Sequence, residues 1–249
     1  MLHSIRHGAP TKKPPLLIVH GLFGSARNWN VIARHLAASR QVVAVDMRNH
    51  GSSPWFDSNG YADMAADLAE VIGDVPHDVL GHSMGGKAAM VLALTEPAHL
   101  RRLIVADIAP VAYGHTQAHL IAAMRDVDLS AVTRRSDAAA QLDDVSDTST
   151  RAFLLQSLDV KARRWTLNLD VLEREMPKIV GFPEIEGRFE GAALFLSGGA
   201  SDYVRPAHRD RIKALFPAAR FAKIPDAGHW LHAEKPREFE ATVEAYLDA

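Results

Sequence analysis

The stretch Val79-Leu80-Gly81-His82-Ser83-Met84-Gly85-Gly86 organises the reading of the whole chain. It carries a G-x-S-x-G pattern at Gly81, Ser83 and Gly85, with a predicted strand at Val75 to Leu80 before it. After it, Lys87 to Leu94 is rich in Ala, Met, Val and Leu and reads as a helix. Strand, sharp turn and helix is the context in which this pattern exposes a serine as a nucleophile. The glycines let the backbone turn tightly and keep side chains clear of the Ser83 hydroxyl. The helix N-terminus that follows favours developing negative charge. An ordinary βα turn can carry the same pattern, so the weight of the reading rests on the remaining chain.

Outward from this turn, short apolar runs alternate with helical patterns. Met1 to His7 reads as a short first strand and Leu16-Leu17-Ile18-Val19 as a strand buried on both faces. Asn28 to Ala38 reads as a helix, Val42-Val43-Ala44-Val45 as a second buried strand, and Tyr61 to Ile72 as an amphipathic helix. Leu103 to Ala106, Ala192 to Leu196 and Arg220 to Ile224 supply further strands, with helices at Pro206 to Phe216 and Pro236 to Leu247. This alternation implies an α/β fold with a mostly parallel, doubly wound sheet covered on both sides. Tyr113 to Gly187 breaks the alternation, being mostly helical with no buried strand. It is too long for a loop and reads as an inserted cap. The expected organisation is a core formed by residues 1–110 and 189–249 with a helical cap at 111–188.

In open α/β sheets, ligands bind outside the carboxyl ends of the strands. His20-Gly21, Asp46, Ser83, Asp107, Ser201-Asp202 and His229 all fall at such ends. A serine becomes a strong nucleophile only when a base takes its proton and an acid holds that base in the right tautomer. His229, in Asp226-Ala227-Gly228-His229-Trp230 directly after the last strand, is the expected base among 13 histidines. His82, His208 and His232 read as structural. An oxyanion hole needs two N–H donors; the backbone amides of Met84 and Leu22 are the candidates. Phe23, Met84, Tyr113, Tyr203 and Trp230 flank these positions and are expected to line a substrate pocket, with Trp55 and Trp165 as rim or cap contributors. Asp46, Arg48, Asn49 and His50 read as a structural turn bracing the site, and Lys87 as half of a structural ion pair.

The segments HGLFGS, DMRNHGSSP, GHSMGGK, VADIAPVAY and AGHWLHAEKP together resemble the α/β-hydrolase fold carboxylesterases of the YbfF type and the mitochondrial abhydrolase-domain esterases of eukaryotes. The resemblance spans nearly the whole chain and is weakest from Thr116 to Arg188. It implies a serine esterase with a helical cap, active on short-to-medium acyl esters, and it also suggests hydrolysis of acyl-coenzyme A thioesters. For the acid it offers two positions. Most α/β-hydrolases carry it in a G-x-x-D pattern, which Gly199-Ala200-Ser201-Asp202 fits. Members resembling this chain take it from the preceding strand, at the position of Asp107, with a supporting serine that Ser201 matches. Both aspartates are present, and the choice stays open at this level.

Composition narrows the alternatives. With 249 residues, 47% apolar and 23% charged, and no repeat, the chain is one domain of ordinary enzyme size. A net charge of −2 with no basic stripe argues against a nucleic-acid partner. There is no cysteine, hence no thiol nucleophile, disulfide or thiolate metal site. No histidine spacing suggests a metal and no dinucleotide fingerprint appears, so no cofactor is expected. The polar Met1 to Pro15 lacks a signal-peptide core and no run is long enough to span a membrane, so a cytoplasmic protein is expected. The partner would be a small acyl ester or thioester. Arg163-Arg164 could meet coenzyme A in the thioesterase alternative, and a non-catalytic ligand-binding protein of the same fold is the more distant one. Oligomeric state is not legible.

Overall fold

The computed structural model describes all residues from Met1 to Ala249. Its strands in chain order are β1 (Ser4–His7), β2 (Leu16–Val19), β3 (Val42–Val45), β4 (His77–His82), β5 (Leu100–Ala106), β6 (Leu158–Asp159), β7 (Arg164–Trp165), β8 (Ala192–Gly198) and β9 (Ala219–Ile224). Seven form one sheet in the order β1-β3-β2-β4-β5-β8-β9. β1 runs antiparallel to β3 and every other pairing is parallel. The principal helices are α1 (Asn30–Leu36), α2 (Tyr61–Ile72), α3 (Met84–Thr95), α4 (Ala118–Asp126), α5 (Arg135–Ala139), α6 (Thr148–Leu154), α7 (Leu169–Arg174), α8 (Met176–Val180), α9 (Arg209–Leu215), α10 (Leu231–Glu234) and α11 (Pro236–Asp248).

Both faces of the sheet are covered, which is why its strands read as unbroken apolar runs. The period of two is still present in space. Leu17 and Val19 of β2 join a core of 50 buried residues with α2, α3 and the 111–188 segment. Leu16 and Ile18 join a second core of 20 residues with α1, α10 and α11. α3 lies in the first core with every residue from Met84 to Leu94 buried. A helix apolar all round is what a central position demands.

The predicted helix from Asn28 begins instead as a 3-10 turn at Ala26–Trp29, because Asn28 Oδ1 accepts from the Ser25 amide at 2.6 Å and closes a separate turn. The 111–188 segment is mainly helical, with one short antiparallel pair, β6 and β7, that its sequence did not announce. It rests on the rest of the chain through both main-chain and side-chain hydrogen bonds. Ser157 Oγ donates to Phe23 O at 2.9 Å, and the Asn168 amide donates to Asn49 O at 3.0 Å.

Two buried histidines fix the loops at the carboxyl edge of the sheet. His20 Nδ1–H donates to Gly21 O at 2.7 Å while its Nε2 accepts from the Met47 amide at 2.9 Å. His50 Nδ1–H donates to Arg48 O at 2.8 Å and its Nε2 accepts from the Phe23 amide at 3.2 Å. Each ring donates once and accepts once, which only a neutral imidazole can do. Burial pushes His20 down to about 4 and, with the neighbouring His20, pushes His50 down to about 3. Asp46 completes the brace: its two carboxylate oxygens accept from the Ala26 amide at 2.7 Å and the Ser52 amide at 2.8 Å. Arg48 pairs with Asp67 at 2.6 Å, so this turn is structural, as its sequence suggested.

These imidazoles make stability pH-dependent in a fixed direction. The unfolded chain takes protons on them below about pH 6.5, whereas the native state refuses until pH falls to about 4 or 3. Between those limits the unfolded state binds more protons, so stability falls as pH falls. Each group contributes a slope of about 1.4 kcal/mol per pH unit there. Denaturant titrations at pH 7, 6, 5 and 4.5 are expected to show this loss, and His50→Asn is expected to flatten the slope by about one proton. An unchanged slope in the variant refutes the assignment.

Candidate active site

Ser83 sits between β4 and α3 with φ 52° and ψ −120°, a conformation that non-glycine residues adopt only when the surroundings impose it. The imposition comes from packing. At Gly85 a Cβ would stand 2.5 Å from Val19 O, so the start of α3 presses directly on the end of β2. At Gly21 a Cβ would stand 3.1 Å from Ser83 Cβ, which places the Gly21–Leu22 backbone against the serine. The Leu22 amide donates to no protein acceptor. The Met84 amide opens α3, where a helix has no acceptor of its own to offer.

Three side chains from three strand ends connect in series. His229, on the loop after β9, places Nε2 3.0 Å from Ser83 Oγ and Nδ1 2.8 Å from Asp107 Oδ2. Asp107, directly after β5, is fully buried and has φ 52°. Its Oδ1 accepts from the Gly198 amide at 3.0 Å, and its Oδ2 also accepts from Ser201 Oγ. With a carboxylate at Nδ1, that nitrogen carries the proton and Nε2 faces Ser83 as an acceptor.

Of the two candidate acids, His229 therefore takes Asp107. Asp202 is exposed on the far side of the turn, where its main-chain oxygen accepts from Arg205 Nε at 3.0 Å. The physical reason is the pairing of β5 with β8. It carries the Asp107 amide onto Leu196 O at 2.8 Å and so holds the carboxylate beneath the imidazole, while the chain after Gly198 turns Asp202 outward.

Ser83 and His229 open on a cavity of about 750 Å³, and Asp107 lies buried behind them. All five flanking residues expected from the sequence line it, Phe23, Met84, Tyr113, Tyr203 and Trp230, and so does Leu22. So do Tyr61, Ile108, Leu120, Phe153, Ile179 and Val180, none of which the sequence singled out. Tyr61, Ile108, Leu120 and Ile179 are buried and form the closed end. Asp147, Ser149, Gln156 and Glu234 are exposed lining residues and form the open side. Trp165 is buried away from the cavity, its Nε1–H donating to Met124 O at 2.8 Å, and Trp55 is half exposed. Arg163 and Arg164 are exposed around the turn from β6 to β7 and line no part of the cavity.

Lys87 departs from expectation. It is buried without a carboxylate partner; Nζ donates instead to Val180 O at 2.9 Å and to Gly181 O, and lies 4.7 Å from the Tyr113 ring centre. Burial pushes its ammonium down to about 7. His232 stacks on Trp29 and His82 lies tilted against it, and burial holds both rings neutral. His82 Nε2–H donates to the His229 carbonyl at 2.9 Å, which fixes the backbone of the histidine loop. No group of three His, Asp or Glu side chains converges as metal ligands would.

No helix of the structure is long and apolar enough to cross a membrane. The esterase YbfF of Escherichia coli (strain K12) is 40% identical over 240 residues, covering 94% of this chain and 93% of that protein. The sn-1-specific diacylglycerol lipase ABHD11 of Mus musculus is 41% identical over 248 residues, covering 94% of this chain and 81% of the lipase. Among solved structures, a marine microorganism esterase superimposes with a TM-score of 0.92 at 37% identity, covering 98% of both chains. Residues 14–236 match the alpha/beta hydrolase fold family, and the chain belongs to it.

Proposed function

We propose that the chain is a serine carboxylesterase that hydrolyses short-to-medium acyl esters through an acyl-enzyme on Ser83. The observation that carries this reading is the series Ser83–His229–Asp107, set at 3.0 Å and 2.8 Å and opening on the cavity. His229 Nε2 takes the Ser83 proton as Oγ attacks the ester carbonyl. The imidazolium that forms is balanced by Asp107, whose charge Ser201 and the Gly198 amide hold in place. The Leu22 and Met84 amides receive the oxyanion. His229 then protonates the departing alcohol, and a water activated by the same nitrogen releases the acid. The similarity to proteins named esterase and diacylglycerol lipase supports the same chemistry.

Selectivity belongs to the 111–188 segment, read as a cap. Leu120, Ile179 and Val180 close the cavity with Tyr61 and Ile108, which suits an apolar acyl chain of limited length. The charge of the open side favours an ester over an acyl-coenzyme A. Asp147 and Glu234 stand there, and no arginine lines the cavity. A leaving group carrying several phosphate charges meets carboxylates on approach, which slows its encounter.

Initial rates on 4-nitrophenyl butyrate test the assignments. Ser83→Ala and His229→Ala are expected to abolish measurable turnover, and Asp107→Asn to lower kcat by about 10²–10⁴-fold. Asp202→Asn is expected to stay within about twofold of wild type. Activity surviving in Ser83→Ala defeats the proposal. With one acyl group on two leaving groups, kcat/KM for ethyl butyrate is expected to exceed that for butyryl-coenzyme A by at least about tenfold at low salt. The reverse order makes the protein a thioesterase.

A further inference from the structure

His229 is held at both nitrogens, but two hydrogen bonds along one axis leave an imidazole free to rock about that axis. The faces of the ring are therefore as important as its edges. One face lies against Tyr203, with ring centres 3.9 Å apart and planes 19° apart. His82 also packs against the imidazole, at 4.8 Å and a 40° tilt. His82 cannot move away, since it is buried among Trp29 and His232 and its Nε2–H is bonded to the His229 carbonyl.

Tyr203 is itself tied to the acid side of the site. Its amide donates to Ser201 Oγ at 3.3 Å, the hydroxyl that donates to Asp107. Its carbonyl accepts from Tyr113 Oη at 2.7 Å, and that oxygen accepts in turn from the Ala109 amide at 2.9 Å, two residues beyond Asp107. Its own hydroxyl lies 2.9 Å from His115 Nε2 at the surface. The ring is thus fixed by main-chain contacts to the strand end that carries the acid, and its phenol is not needed to hold it there.

We infer that Tyr203 is a positioning residue: it clamps the His229 imidazole against His82 so that Nε2 stays aimed between Ser83 and the departing oxygen. This rests on the esterase reading above and extends it. Both halves of the reaction use the same nitrogen, first to accept the Ser83 proton and later to accept one from water, so a loose ring slows acylation and deacylation alike. A face-on aromatic ring also favours the positive charge that appears on the imidazole in each half. A residue that merely walls the pocket would act on substrate binding instead.

The test compares Tyr203→Phe, which keeps the ring, with Tyr203→Leu, which removes it; Tyr203→Met replaces the latter should Leu prevent folding. On 4-nitrophenyl butyrate, Phe is expected to keep kcat within about twofold. Leu or Met is expected to lower kcat by about 10–50-fold with KM changed less than about threefold, the size of effect that misorientation of a catalytic group produces. The proton on His229 Nδ1, bonded to buried Asp107, is read separately by NMR as a downfield resonance, sharp in wild type and in Phe and broadened or lost in Leu or Met. A Leu variant altered only in KM, a Phe variant as slow as Leu, or a resonance indifferent to the ring overturns the inference. Should wild type hydrolyse no ester, the functional reading fails, and the resonance still decides the role of Tyr203.

Discussion

The carboxyl edge of this sheet depends on a single buried charge. Asp107 has no solvent exposure, and a carboxylate so placed is tolerable only when its oxygens are fully hydrogen-bonded. Its partners come from the end of β8 (Gly198), the turn after it (Ser201) and the loop after β9 (His229). Three separate segments are therefore drawn to one point by the need to satisfy one group. The position of the His229 imidazole follows from that need as much as from its own loop. The backbone strain at Asp107 and Ser83, each at φ 52°, is maintained by the packing around them.

Burial sorts the histidines by the same physics. His20, His50, His82 and His232 are kept neutral, and the first two use both ring nitrogens on main-chain groups. They serve as rigid connectors for the loops that carry Leu22, Phe23 and Asp46. His229 differs in two respects: its side chain is 24% exposed to the cavity, and it faces a carboxylate instead of a carbonyl. A ring that must gain and lose a proton needs that access and that counter-charge. The environment, more than the residue type, separates His229, the base of the proposed mechanism, from the four buried rings.

Much of this was legible in the chain because local pattern and chemistry coincide. The strand–turn–helix around Ser83, the unbroken apolar strands and the polar residues at their ends are short-range signals, and His229 follows from its place after the last strand. The choice between Asp107 and Asp202 was not legible, since both follow a strand and both suit a turn. What separates them is the register of β5 against β8, a contact between residues some 90 positions apart in sequence. Lys87 misled for a similar reason. A lysine inside an apolar helix suggests an ion pair, whereas its acceptors are the carbonyls of Val180 and Gly181, which no side-chain pattern marks. Phe153, Leu120 and Ile179 went unnoticed because they lie in short helices whose apolar positions serve two surfaces, the interior of the segment and the cavity wall.

The 111–188 segment leaves a weak sequence pattern for a structural reason. Main-chain atoms of the 111–188 segment make part of its seat, beside side-chain bonds from Ser157, Asn168 and Arg174. Lys87 and Tyr61 donate to the carbonyls of Val180, Gly181 and Ile179, and the Asn168 amide donates to Asn49 O. Backbone acceptors are the same whatever side chain they carry. Positions held this way, Ile179, Val180 and Gly181, can change side chain without losing that part of the seat. The core, by contrast, spends its side chains on the brace around Asp107, His20 and His50, where every nitrogen and oxygen is engaged. On the proposed reading, selectivity and chemistry fall to parts of the chain under different constraints, and the tightly constrained part leaves the readable pattern in the sequence.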